Sequence, residues 1–142
     1  MLIIVKGETL AGFREIEHTA DWELKVWAPD PPSLLEQAAR GMYNLQGVRP
    51  KSGPRLERRY KMAYQELETL LVDFLAELLY LLEIERLAFD RFELSLSEDT
   101  LEAVLSGVPI ESLAKEIKAV TYHGLEVRRT DCGFEANVVF DV

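Results

Sequence analysis

The stretch QELETLLVDFLAELLYLLEIER, residues 65–86, decides the fold. Leu67, Leu70, Leu71, Phe74, Leu75, Leu78 and Leu82 recur at the three- and four-residue spacing of an α-helix. They cover more than one stripe, so most of the helix's girth is expected to be buried. A helix that is apolar nearly all round belongs either in a bilayer or in the middle of a globular core. The charges choose between these. Residues 70–84, the most apolar part, are interrupted by Asp73, Glu77 and Glu83, and carboxylates at that depth of a membrane are costly. This is a core helix, and its acidic strip of Glu66, Asp73 and Glu77 reads as a solvated face.

A core helix needs other elements to cover it. Upstream, RLERRYKMAY sets Leu56, Arg58, Tyr60, Met62 and Tyr64 against charged or small residues, a strand with one watery face. VRPKSGP before it reads as loop. SLLEQAARGMYNLQG predicts a second helix. Ser33 and Glu36 have the spacing of a capping box at its start; Leu35, Ala38, Ala39, Met42 and Leu45 form its stripe; Gly47 ends it. Nearer the N-terminus, FREIEH and DWELKVWA read as strands, the second with Trp22, Leu24 and Val26 on one face.

Downstream, RFELSLSED and TLEAVLSG predict a hairpin in which Phe92, Leu94 and Leu96 face Leu101, Ala103 and Leu105. PIESLAKEI suits a short helix or turn. KAVTYHGLEVRRT and GFEANVVFDV predict a second hairpin turning at TDCG, with Gly133 at a positive φ. The whole reads as one α+β domain over residues 1–142, a mostly antiparallel sheet with two main helices packed on it.

The chain has 142 residues, with 16 Lys and Arg against 25 Asp and Glu, a formal charge of −9. So acidic a protein repels phosphate backbones, which argues against strong direct nucleic-acid binding and favours work beside a basic partner. The basic cluster Arg55, Arg58, Arg59 and Lys61 reads as balance for the acidic surface. One cysteine, Cys132, excludes an intrachain disulfide, and the four-residue apolar run in MLIIVKGE is too short for a signal peptide. A cytoplasmic, non-membrane protein is expected.

The candidate chemistry gathers at strand ends. If Phe134, Ala136, Val138 and Phe140 point inward, Glu135, Asn137, Val139 and Asp141 point the other way. Asp141 and the α-carboxylate of Val142 then place two anionic groups side by side. Asp21, in HTAD, is expected across from Asp141 on a neighbouring strand end. Oxygen-only ligation of this kind suits calcium, magnesium or manganese. His18 and His123 would stand behind such ligands or face a substrate, since hard ions do not favour imidazole. The residues alone leave a second reading open: a local turn hydrogen bond between His18 and Asp21, with Asp141 merely solvated. No G-x-S-x-G, P-loop, G-x-G-x-x-G or zinc spacing occurs, and Cys132 has no base beside it in the sequence. No catalytic residue is assigned.

EHTAD, LLVDFLAELLYLLE, and IKAVTYHGLEV followed by a final VVFDV together resemble the archease family, in order and over nearly the whole chain. The leading MLIIVKGETLAG lies outside the resemblance. What the resemblance implies is a small cytoplasmic accessory protein of the GTP-dependent RNA-splicing ligase, one that promotes guanylylation of the ligase and multiple turnover in tRNA splicing. It further implies a divalent-metal site, with calcium the usual ion, carried here by Asp21, Asp141 and Val142. A second implied role is that of chaperone or specificity modulator for a tRNA cytosine methyltransferase.

Overall fold

A computed structural model describes residues 4–5, 8–16 and 21–142. In chain order the elements are β1 (Ile4–Val5), β2 (Glu8–Thr9), β3 (Gly12–Ile16), β4 (Trp22–Ala28), α1 (Pro31–Gln46), β5 (Arg49–Pro50) and β6 (Leu56–Ala63). There follow α2 (Leu67–Glu85), β7 (Leu87–Leu96), β8 (Thr100–Ser112), β9 (Ala119–Thr121), β10 (Arg128–Thr130) and β11 (Gly133–Asp141). Strands β1 and β2 pair only with each other among the described residues. One sheet runs β10-β11-β4-β3, with β9 also on β11; the other centres on β8, flanked by β6, β7 and β5. Every pairing among the described residues is antiparallel. The α+β class expected from the sequence is the class found.

Both sheets and both helices feed one core. Leu24 and Val26 of β4, Ala136, Val138 and Phe140 of β11, Leu101 and Leu105 of β8, Met42 of α1 and Phe74 of α2 all belong to it. Each large side chain so buried contributes about 1.5–3 kcal/mol of transfer free energy. Helix α2 buries Leu70, Leu71, Val72, Phe74, Leu75, Leu78, Leu81 and Leu82 and leaves Asp73 exposed. No helix among the described residues is long and apolar enough to cross a membrane.

Several local expectations are corrected. Helix α1 starts earlier than the capping box implies: its N-cap is Asp30, whose Oδ1 accepts the Ser33 N–H at 2.8 Å, and Pro31 and Pro32 fill the first turn. The two prolines lack an N–H to be capped and already hold helical φ, so the helix begins ahead of Ser33. Glu36 is engaged instead by Arg40, at 3.0 Å. Gly47 does end the helix, at φ 60°. Arg49 and Pro50, read as loop, pair with the far end of β8. PIESLAKEI forms no helix: β8 continues to Ser112, and Ala114 and Lys115 then both donate their N–H groups to the carbonyl of Gln46.

The β7–β8 hairpin has the expected register, with Phe92, Leu94 and Leu96 opposite Leu105, Ala103 and Leu101. It slips at Asp90, whose carbonyl accepts from Arg40 and whose carboxylate pairs with Arg55. The last hairpin also turns where expected, Thr130 opposite Gly133 with Gly133 at φ 141°. Its first strand, however, is split into β10 and β9, with 122–127 out of the ladder. Glu68 of α2 accepts the Val127 N–H at 2.8 Å, Tyr122 takes the Leu125 N–H, and Gly124 turns at φ 62°. Those partners satisfy donors that a continuous ladder would have used.

Candidate functional site

The register of β11 on β4 runs from Phe134 opposite Ala28 to Phe140 opposite Trp22. Antiparallel partners share a face, and faces alternate along each strand. Val138 and Phe140, with Leu24, lie on the buried face. Glu135, Asn137 and Val139 share the opposite face with Trp27, Lys25 and Glu23. The paired register ends there, and Asp141 and Asp21 are the next residues beyond Phe140 and Trp22. Both aspartates are exposed, with Asp21 in a bend at the head of β4.

The end of β11 is held by its neighbours in the sheet. Asp141 pairs with Ala119 of β9, and its carbonyl accepts the Lys118 N–H at 2.8 Å. Val142 packs half-buried against the core. The last strand is therefore an interior strand with partners on both edges. Like charges brought opposite one another at strand ends repel, and an oxygen-only pair is the donor chemistry of a hard cation.

Polar side chains fix the outer face next to this end. Asn137 donates from Nδ2 to Glu23 Oε2 at 2.7 Å, and Arg128 donates from Nη2 to Asn137 Oδ1 at 2.9 Å. Arg128 Nε also donates to Glu135 Oε1 at 3.2 Å. This chain of half-buried groups ties β10, β11 and β4 together across the sheet. The sequence reading missed it, because Glu23 and Asn137 are far apart until the register is known. Trp22, on the other face, lies under Lys115, whose Nζ is 4.4 Å from the ring centroid.

The remaining predicted residues fall as follows. His18 lies outside the described residues. His123 is exposed, in the interruption between β9 and β10, with its N–H donating to Thr121 Oγ1 at 3.3 Å. Thr121 Oγ1 in turn donates to the Val139 carbonyl at 3.0 Å. Because β9 runs antiparallel to β11, the chain past Thr121 heads away from Asp141. Among the described residues no three His, Cys, Asp or Glu side chains gather to hold a metal. The predicted set draws on two such side chains and a chain-end carboxylate.

Ionisation is perturbed elsewhere. The Arg58 guanidinium holds Glu85 below its ordinary carboxylate range, and Arg55 does the same to Asp90. Burial pushes the Tyr43 and Tyr60 phenols up. The basic cluster is spoken for: Arg55 pairs with Asp90, Arg58 with Glu85, Arg59 with Glu57 and Lys61 with Glu102. It balances surface acid, as read from the sequence. Cys132 is exposed at a hairpin tip.

Known proteins bear on the whole of this architecture. Residues 13–142 match the model of the Archease protein family, starting just past the leading segment that the sequence resemblance omits. Protein archease of Methanosarcina mazei is 34% identical, over 92% of this chain and 95% of its own length. Protein archease of Methanopyrus kandleri is 33% identical, over 92% and 99%. The solution structure of protein 1598 of Methanobacterium thermoautotrophicum superposes with a TM-score of 0.68 at 26% identity, covering 92% of this chain and 99% of that one. The crystal structure of a Thermotoga maritima protein, named an archease and possible chaperone, superposes with a TM-score of 0.69 at 24% identity, covering 91% and 96%. With the two-helix, antiparallel frame and the family match running from Phe13 to the last residue, this chain belongs to the Archease protein family.

Proposed function

We propose that this chain is an accessory activator, not itself the catalyst, of a GTP-dependent RNA-splicing ligase. Asp21, Asp141 and the α-carboxylate of Val142 would hold a hard divalent cation for that partner, calcium foremost and magnesium or manganese by the same donor chemistry. What supports this is the β4–β11 register, which ends at Phe140 opposite Trp22, each followed or preceded by an exposed aspartate, Asp141 and Asp21. When bound, such an ion neutralises phosphate charge, the main requirement of phosphoryl-type transfer. The chain's own residues do the rest. The two aspartates bind, the Arg128–Asn137–Glu23 bonds keep their strands in register, and their exposure leaves the end open to a partner. The charge of −9 favours encounter with a basic RNA enzyme.

The test is guanylylation of an RNA-splicing ligase, measured with and without this protein, and with Asp21→Asn and Asp141→Asn. Stimulation by the wild type and its loss in both variants is expected. Full stimulation by both variants removes the cation from the mechanism.

One observation favours a second reading, chaperone to a tRNA cytosine methyltransferase: the Thermotoga maritima relative is itself named a possible chaperone. That reading predicts a complex with the methyltransferase that survives EDTA, which a pull-down with and without chelator resolves.

A further inference from the structure

Helix α2 buries most of its girth but turns one ridge outward. Asp73, Glu77, Tyr80 and Ile84 stand along it at four-, three- and four-residue spacing, with Ala76 and Glu83 beside them. Glu77 is half-buried and the other five are exposed. Tyr80 is 55% exposed and Ile84 62%, one turn apart on the same face. A scattered exposed apolar side chain is ordinary; these are gathered. Four large hydrophobic side chains are exposed among the described residues: Leu56, Tyr80, Ile84 and Tyr122. Two are on the ridge. Leu56 opens β6, which Arg58 ties to α2 through Glu85, and Tyr122 follows β9, which also packs on α2.

The charges on the ridge select what covers it. Asp73, Glu77 and Glu83 form no ion pair among the described residues, whereas acids beside them do: Glu85 with Arg58, Glu57 with Arg59 and Glu102 with Lys61. Arg86, past the end of the helix, is the nearest cation in sequence. Three unneutralised carboxylates repel the same ridge of a second copy, a phosphate backbone and an anionic bilayer alike, and they attract Lys and Arg. Tyr80 and Ile84 add the apolar contact that fixes a partner in place. The ridge runs for roughly 16 Å, three helical turns, which is the footprint of a helix packed lengthwise.

We propose that this ridge docks a basic amphipathic helix of a partner protein. The partner's apolar stripe lies on Tyr80 and Ile84, with the small Ala76 leaving room for a larger side chain. Its Lys and Arg side chains reach Asp73, Glu77 and Glu83. The surface needs no cation at Asp21 and Asp141 and does not rest on the ligase reading.

The probe is a leucine–lysine peptide about four turns long with its leucines on one helical face. It is titrated into the full chain in EDTA and followed by amide and side-chain NMR shifts. A control peptide has the same composition with its leucines spread round the helix. Saturable shifts centred on Glu77, Tyr80 and Ile84 are expected, with the control about tenfold weaker or more. The variant carrying Tyr80→Ser and Ile84→Ser should weaken the peptide about tenfold or more at a level Tm, since both side chains are exposed. The variant carrying Glu77→Gln and Glu83→Gln should weaken it and flatten its salt dependence. Shifts spread over the whole acidic surface, equal affinity for the control, or unchanged affinity in the Tyr80→Ser, Ile84→Ser variant overturn the proposal. So does sedimentation of the chain alone as a dimer that the same variant converts to monomer, because a second copy then holds the ridge. EDTA removes any contribution from a cation at Asp21 and Asp141.

Discussion

Phe140 pairs with Trp22 across β11 and β4 at the end of their paired register, and Asp141 and Asp21 are the next residues on the two segments. The consequence is electrostatic. Opposed carboxylates repel in the metal-free protein and attract a hard cation. Asp141→Asn is therefore expected to leave the metal-free Tm level or slightly raised, and to lower calcium affinity by about tenfold or more. Calcium should raise the wild-type Tm with the logarithm of its concentration above Kd, and raise that of the variant less at the same concentration. Calorimetric titration and thermal melts with and without calcium check both halves. An extra residue after Val142 should also weaken the ion, by moving the terminal carboxylate; unchanged affinity there removes Val142 from the set.

The start of α1 offers a test of a different kind. Asp30 Oδ1 caps the helix by accepting the Ser33 N–H. Asp30→Ala should cost about 1 kcal/mol, the usual value of an N-cap. Ser33→Ala, inside the first turn, should cost less than half of that. Urea unfolding of the two variants separates the cap found here from the capping box that the spacing of Ser33 and Glu36 suggests.

That contrast shows where the sequence was readable. Periodicity found both helices and the faces of β4, β6 and β8, because burial repeats at 3.6 or 2 residues and is written locally. Gly47 and Gly133 were readable because a left-handed or otherwise positive φ selects glycine. What was hidden depends on distant partners. β9 separates from β10 because Glu68, on α2, takes the Val127 N–H. The 113–118 segment stays irregular because the Gln46 carbonyl takes two of its amides. The opposition of Asp21 and Asp141 is an expectation from their places at strand ends; the β4–β11 register ends one residue short of both, at Phe140 opposite Trp22. The Arg128–Asn137–Glu23 bonds left no local mark at all.

Gly133 tests the last turn. Its φ of 141° disfavours a side chain, and a Cβ there would stand 2.2 Å from the Ala28 carbonyl oxygen and 2.6 Å from the Pro29 Cα. Both are backbone atoms, so no side-chain rotation relieves the contact. Gly133→Ala is expected to destabilise by about 1–3 kcal/mol, the range for strained backbone. Denaturant unfolding checks this. Wild-type stability would mean that β11 can shift away from β4 at its start.

The acid limb of stability should trace to two surface pairs. Arg58 lowers the Glu85 pKa from 4.5, and Arg55 lowers that of Asp90 from 3.8. A carboxyl with a depressed folded pKa binds fewer protons folded than unfolded, so its contribution is present above the unfolded value and is lost as pH falls through the folded one. Both pairs are solvent-accessible, so the effect is small and screened by salt. The variant carrying Arg55→Gln and Arg58→Gln should have a lower urea midpoint than the wild type at about pH 6, and the gap should close as pH falls through the folded values of Glu85 and Asp90. It should also narrow at pH 6 on adding about 1 M salt, where the screening length falls to roughly 3 Å. A gap that persists undiminished in acid would assign the two arginines a packing role, through their aliphatic stems, in place of the charge pairing with Glu85 and Asp90.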